Sequence, residues 1–173
     1  MRLQSLLMEG AEEPVTIRDF RPADLPACRM LYSEGLIGGK LAENDTALDI
    51  GDIVSVYMKM PGSHFWVSTV GDEVVGMIGV QHHDAGVGEI RRLRVASSHR
   101  RRGIGSLLVE QALRFCQEKQ YLKITLDTFL EREPAVRLFE KFGFRHDRSR
   151  TYAGRELMYF YLDLYKSGGR RQE

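Results

Sequence analysis

HRRRGIGSLLVE, from His99 to Glu110, sets three consecutive arginines against a Gly-x-Gly and then an apolar helical pattern. From Gly103 onward, Ile104, Leu107, Leu108, Ala112, Phe115 and Cys116 fall on one stripe at helical spacing, so the segment predicts a helix packed on a core. Just upstream, GEIRRLRVA (Gly88 to Ala96) reads as a strand, with Ile90, Arg92 and Arg94 expected on one face and Arg91, Leu93 and Val95 on the other. A strand, a glycine turn and a helix make an anion site, because the first helical N–H groups have no internal partner and the helix dipole is positive there. Gly103 and Gly105 let backbone approach a ligand closely, and Arg100, Arg101 and Arg102 add positive charge. The anion that this arrangement favours is a pyrophosphate; the alternative is a solvated run of charge. A dinucleotide fold is disfavoured, since GxGxxG lacks its third glycine and no acidic residue stands at the ribose-binding distance.

Outward from this stretch, the apolar period switches between two and about 3.6, which marks a mixed α/β domain. VTIRDF (Val15 to Phe20) predicts a strand, and Pro22, Ala23 and Asp24 open a helix to about Ser33. EGLIGGK fails as a phosphate loop, because GxxxxGK[ST] needs Gly at Glu34 and Ser or Thr at Leu41. DTALDIGDIVSVYMKM predicts an apolar helix-like run ending near Pro61, and HFWVSTV with EVVGMIGVQHH predicts a central hairpin about Gly71 and Asp72. LKITLDTF (Leu122 to Phe129) is a β-branched strand, EPAVRLFEKFGF a helix with Pro134 in its first turn and Gly143 at its end, and MYFYLDLY (Met158 to Tyr165) the last strand.

The chain has 173 residues, 43% hydrophobic, and a formal charge of +1, which predicts one domain whose electrostatic function is local. We expect an N-terminal extension over 1–14, one domain over 15–165 and a polar tail over 166–173. Cys28 and Cys116 form neither a zinc pattern nor a disulfide framework, and no leader or run near 18 apolar residues is present, so a cytoplasmic protein without a membrane partner is expected. His82 and His83 are expected on opposite faces of a strand end and His99 in a turn, and no metal site is predicted. The arginine-rich stretch invites an RNA-binding reading, but it lacks interleaved aromatic residues and the chain is nearly neutral, so no nucleic-acid partner is expected.

Arg100-Arg101-Arg102-Gly103-Ile104-Gly105, placed after a strand and before a helix, resembles the [Q/R]xxGx[G/A] signature of the GCN5-related N-acetyltransferases. AVRLFEKFGF (Ala135 to Phe144) resembles a second segment of that family, in the right order, and the likeness spans Val15 to Tyr165. FWVSTVGDEVVGMIGV and LDT (Leu126 to Thr128) resemble its camello-type branch. The resemblance implies an α/β fold whose twisted, mixed and mostly antiparallel sheet has splayed central strands, with helices on both faces. It also implies an N-acetyltransferase that takes acetyl-CoA as co-substrate and an amine as acceptor, with a homodimer as one assembly. The resemblance places the pantetheine on the backbone of Leu93, Arg94 and Val95. It places the pyrophosphate on Arg101, Arg102, Gly103, Ile104, Gly105 and Ser106, with Arg100 at the signature's Gln/Arg position in the same cofactor site.

Amine acetylation needs a group that removes a proton before or during attack on the thioester. Glu89, eleven residues before Arg100, stands where histone-acetyltransferase-like members carry their base; the plainer reading is a surface residue paired with Arg91. Asp127 stands where ribosomal-protein-type members carry a glutamate, and its plainer role is structural. The family's tyrosine acid and its asparagine at the cofactor site correspond here to Phe139 and Arg132, so Tyr152, Tyr159 and Tyr161 become nominees for the acid. Arg92 and Arg94 are expected to line a groove for an acidic acceptor. The departures at Phe139 and Arg132 leave a non-catalytic acyl-CoA-binding sensor or partner module as the alternative reading. Leu31 to Pro61 and Asp147 to Glu156 are the expected acceptor walls, and they carry no code that names the acceptor.

Overall fold

The computed structural model describes residues 12–39 and 45–165. Most of the expected extension, the expected tail over 166–173 and part of the first acceptor wall lie outside the described residues. The elements are β1 (Val15–Asp19), α1 (Leu25–Glu34), α2 (Leu48–Gly51), β2 (His64–Val70), β3 (Glu73–Asp84), β4 (Val87–Val95), α3 (Ile104–Glu118), β5 (Lys123–Phe129), α4 (Glu133–Lys141), β6 (Arg145–Tyr152) and β7 (Arg155–Asp163). They build one seven-stranded sheet in the order β1-β2-β3-β4-β5-β7-β6. Every neighbouring pair is antiparallel except β4 and β5.

That one parallel pair is short. Val87, Gly88 and Glu89 align with Lys123, Ile124 and Thr125, and neither strand pairs with the other beyond this. β4 continues to Val95 and β5 to Phe129, so their facing backbone groups need another partner. The parting of these strands creates the cleft in which the candidate residues lie.

Each sheet face carries its own core. Ile104, Leu108, Val109, Ala112 and Cys116 of α3 pack with Val136 and Phe139 of α4 on Ile78, Val80, Ile90, Ile124 and Phe160. The opposite face packs Cys28 and Leu31 of α1 with Ile53 and Tyr57 against Phe65, Val67 and Met77. A fully buried Leu or Ile such as Leu108 or Ile104 contributes about 1.5–3 kcal/mol, so these clusters dominate the favourable energy. In α3 the buried stripe includes Val109 at 0% exposure, whereas Leu107 is 39% exposed. The helix is rotated slightly from the stripe that spacing alone suggests.

Three further differences from the expected elements have local causes. The run from Asp45 to Met60 is interrupted: α2 stops at Asp52, whose extended φ of −147° breaks the helix, and a wide turn over Val54–Met58 follows. β6 was not expected as a strand, because RHDRSRTY is polar and almost wholly exposed and so carries no alternation. The final strand also starts at Arg155, before the Met158 that periodicity suggests.

β4 does not alternate as expected. The register with β3 slips between Met77 and Gly79, and Arg92 adopts φ 60°, the signature of a bulge. The extra residue places Arg91, Arg92 and Arg94 all on the α1 face, while Ile90, Leu93 and Val95 face α3. The strand's charge is therefore concentrated on one side of the sheet.

Candidate active site

Between β4 and α3, Arg101 at φ 61° and Gly103 at φ 74° bracket Arg102, and α3 begins at Ile104. Alternation of left- and right-handed backbone turns successive N–H groups toward one side and forms an anion-binding concavity. Gly105 serves a different end: a Cβ there would lie 3.1 Å from Leu138, so glycine lets α3 sit close to α4. The three arginine side chains are not equivalent. Arg102 donates to the Glu13 carbonyl and lies 3.5 Å from Glu12, so its charge is turned toward the N-terminal segment. Arg100 and Arg101 carry the exposed charge, and Ser97 donates its N–H to Glu34 at the end of α1, which ties the loop down.

The parting of β4 and β5 brings the two carboxylate candidates onto one floor. Glu89 is the last residue of β4 paired with β5, and Asp127 lies two residues beyond the last pair on β5. Glu89 is 22% exposed, with His83 Nδ1 3.2 Å and Arg91 Nε 3.9 Å from its oxygens. Desolvation pushes its carboxyl above the ordinary range and Asp127 adds to the shift, while Arg91 and His83 oppose it. Desolvation also raises Asp127, against Arg91. Asp127 is more open to water, which screens its charge, so Glu89 is the better placed of the two to take a proton in the cleft.

Of the tyrosine nominees, Tyr159 lies directly across from Asp127, with the Arg148 guanidinium 4.5 Å from its ring. Tyr152 is drawn below the ordinary phenol range by its neighbours Tyr159 and Arg150, whereas desolvation pushes Tyr159 up. Tyr161 pairs with Thr125 and stacks under Lys123. Phe139 is 4% exposed and meets Phe144 edge-on at 5.5 Å, so its ring is part of the core and brings no donor. Leu93 and Val95 pack toward α3, and the Leu93 carbonyl accepts a hydrogen bond from Arg94 at 2.8 Å.

Arg92 does not face an acceptor. Its guanidinium makes four hydrogen bonds to Asp45 and Asp49, and its side chain is 7% exposed. Tyr32 and Tyr57 donate to Asp45 and Asp49, closing the network. Desolvation works to raise both aspartates, but Arg92 holds them well below the usual carboxylate range and is itself raised. Sequence reasoning missed Asp45 and Asp49 because their partner is over 40 residues away. Arg132 precedes α4 and donates to the Gly35 carbonyl at 2.5 Å, so its side chain reaches the end of α1.

His82 and His83 turn to opposite faces, as expected: His82 meets Tyr121 and His83 meets Glu89. Among the described residues no cluster of metal-ligating side chains is present. A separate open groove of about 630 Å³, lined by Met60, His82, Lys119 and Tyr121 among others, lies at the far end of α3 from the arginine loop. It holds no carboxylate or thiol and takes no part in this site.

The family model for the acetyltransferase (GNAT) family matches residues 28–144, which include β4, the arginine loop, α3, β5 and α4. The chain belongs to the GNAT family. N-acetylaspartate synthetase of Rattus norvegicus is 38% identical over 128 residues, covering 72% of this chain and 42% of that protein. N-acetyltransferase 8 of Homo sapiens is 35% identical over 102 residues, covering 56% and 45%. The match to the latter agrees with the camello-type resemblance of the hairpin and LDT segments. The chain spans under half the length of these curated relatives. The fold is shared with the acetyltransferase yncA of Salmonella typhimurium, solved with acetyl-CoA, at TM-score 0.74 and 18% identity over 90% of this chain and 96% of that one. The mixed, mostly antiparallel sheet with parted β4 and β5 is thus the fold expected of the family.

Proposed function

We propose that this GNAT protein is an acetyl-CoA-dependent N-acetyltransferase acting on a primary amine by direct transfer. The observation that carries this reading is the cleft itself, with an N–H-rich arginine loop beyond the C-terminal end of β4 and the Glu89–Asp127 pair where the strands part. In this reading the loop from Arg101 to Ser106 holds the pyrophosphate, and the free edge of β4 at Leu93 to Val95 holds the pantetheine. Acetyl-CoA supplies an electrophilic thioester carbon. Glu89, ionised, takes the ammonium proton directly or through a water, and the neutral amine then attacks. The leaving thiolate, of ordinary pKa about 8.5, takes its proton from solvent or from Tyr152.

A cysteine acyl intermediate is disfavoured. Cys28 and Cys116 are both buried, and burial pushes each thiol up to about 12, so neither offers a thiolate. No described helix is long and apolar enough to cross a membrane, and we place the chain in the cytoplasm, where two free cysteines persist. The relatives named for aspartate favour an amino acid over a protein lysine as acceptor. The second reading, an acyl-CoA-binding module, draws support from the buried Phe139 in the tyrosine position.

Calorimetry with acetyl-CoA, followed by a thioester-consumption assay with amines, tests the proposal. Binding that weakens in Gly103→Glu, with turnover lost in Glu89→Gln, supports the transferase. Binding without turnover of any amine supports the module, and no binding removes both readings.

A further inference from the structure

Two guanidinium groups converge on Gly35 at the end of α1. Arg94 reaches it from β4, so closely that a Cβ on Gly35 would lie 2.5 Å from Arg94 Nε; Arg132 reaches it from the start of α4 and donates to its carbonyl. Arg94 Nε is withdrawn from solvent without a hydrogen-bond partner, and its Nη1 is satisfied only by the Leu93 carbonyl. Neither arginine has a carboxylate within salt-bridge distance among the described residues. The nearby carboxylates are already engaged: Asp45 by Arg92, Glu131 by Arg155, and Glu34 by the Ser97 N–H.

Desolvation first, and then Arg132 and Arg92, push Arg94 down to about 9. Arg132 is lowered by desolvation and by Arg100. Both remain cationic at neutral pH, so the fold keeps two positive charges together in a poorly hydrated place, which is unfavourable until an anion joins them.

The setting identifies the anion's chemistry. Arg94 pairs with Met77 across the sheet, and Glu89 with Gln81, so both side chains stand on the α1 face of the cleft. The partners Gln81 and Met77 are four steps apart on β3, and a strand rises about 3.3 Å per residue, which puts the Cα atoms of Glu89 and Arg94 about 13 Å apart before the arginine side chain closes part of the gap. The floor thus has carboxylates at one end to receive a proton and a cationic fork at the other. Planar guanidinium forks match a carboxylate, which accepts two parallel hydrogen bonds.

We propose that Arg94 and Arg132 are specificity-determining residues that bind a carboxylate of the acceptor, so that the enzyme takes amino acids or acidic peptides in preference to neutral amines. This rests on the transferase reading above. The arginine pair replaces Arg92 as the acidic-acceptor determinant, since Arg92 is committed to Asp45 and Asp49.

The test measures kcat/KM with L-aspartate, its α-amide, its β-amide and a carboxylate-free diamine, together with calorimetric Kd for acetyl-CoA. In the wild type, removing the bound carboxylate is expected to lower kcat/KM about 10- to 100-fold, as for a lost charge-assisted hydrogen bond. Arg94→Gln and Arg132→Gln should each reduce that preference to near unity, and Arg94→Lys should restore part of it. Because the readout is a ratio between substrates, a general loss of folded enzyme does not imitate it, and Arg132→Gln stands in if Arg94→Gln does not fold. Equal kcat/KM for all four amines overturns the inference and leaves the transferase intact. So does an unchanged preference in both variants with weakened acetyl-CoA binding, which would assign the arginines to its phosphates. Failure of the wild type to turn over any amine removes the transferase reading, and this inference with it.

Discussion

Glu89 has a neighbour of each sign, and the balance among them sets its task. Because desolvation and Asp127 raise its pKa, kcat/KM should rise with pH along a limb whose midpoint lies above the ordinary carboxylate range of about 4. Glu89→Gln should remove that limb and cost about 10²- to 10⁴-fold in kcat/KM with Kd for acetyl-CoA unchanged; Asp127→Asn should lower the midpoint by removing a like charge. A pH–rate profile of each variant checks both. Arg92 is a different kind of residue. Arg92→Ala would leave Asp45 and Asp49 buried without their cation, and breaking such a buried pair costs about 3–5 kcal/mol, measurable by urea unfolding. Glu89 was readable as a candidate because its distance from the glycine signature is local; the Asp45–Arg92–Asp49 network was not, because it is assembled only when α2 folds against β4.

At the level of elements, the arginine loop depends on two left-handed positions that only one of its residues suits. A Cβ on Gly103 would meet nothing within 4 Å, so the cost of Gly103→Ala is conformational, about 1–2 kcal/mol, arising from φ 74°. Relaxation of that backbone should misalign the N–H groups and weaken acetyl-CoA binding, as calorimetry would show. Gly105→Val should instead act through packing, since Leu138 leaves no room between α3 and α4. The hairpin of β2 and β3, α3, β5 and α4 were legible because each buries one side and shows its period in the apolar residues. β6 buries almost nothing and shows no period; its strand character comes from pairing with β7. The bulge at Arg92 was equally hidden, because a run of arginines reads the same with or without an extra residue in the strand.

Across the molecule, the acid stability should follow the aspartates paired with arginine. Asp24, Asp45 and Asp49 lie below their ordinary 3.8 in the folded chain, so the unfolded state binds more protons as the pH falls. Their stabilisation is full above about pH 4 and is lost below it, which urea midpoints measured from pH 6 downward should trace, with a shallower slope in Arg92→Ala. Glu89 and Asp127 act in the opposite sense: raised in the folded state, they favour it below their unfolded pKa, and that contribution is lost as pH rises through the folded values. The sequence by itself determined the α/β class, the strand–loop–helix order around the arginines, the GNAT resemblance and two acids worth attention, since each depends on residues close in the chain. Only the tertiary structure decided where β4 and β5 part, that Arg92 is consumed by Asp45 and Asp49, and that Arg94 and Arg132 meet at Gly35 without a carboxylate of their own among the described residues. These features join segments tens of residues apart, and their energies arise from shared desolvation, which no local pattern of residue types encodes.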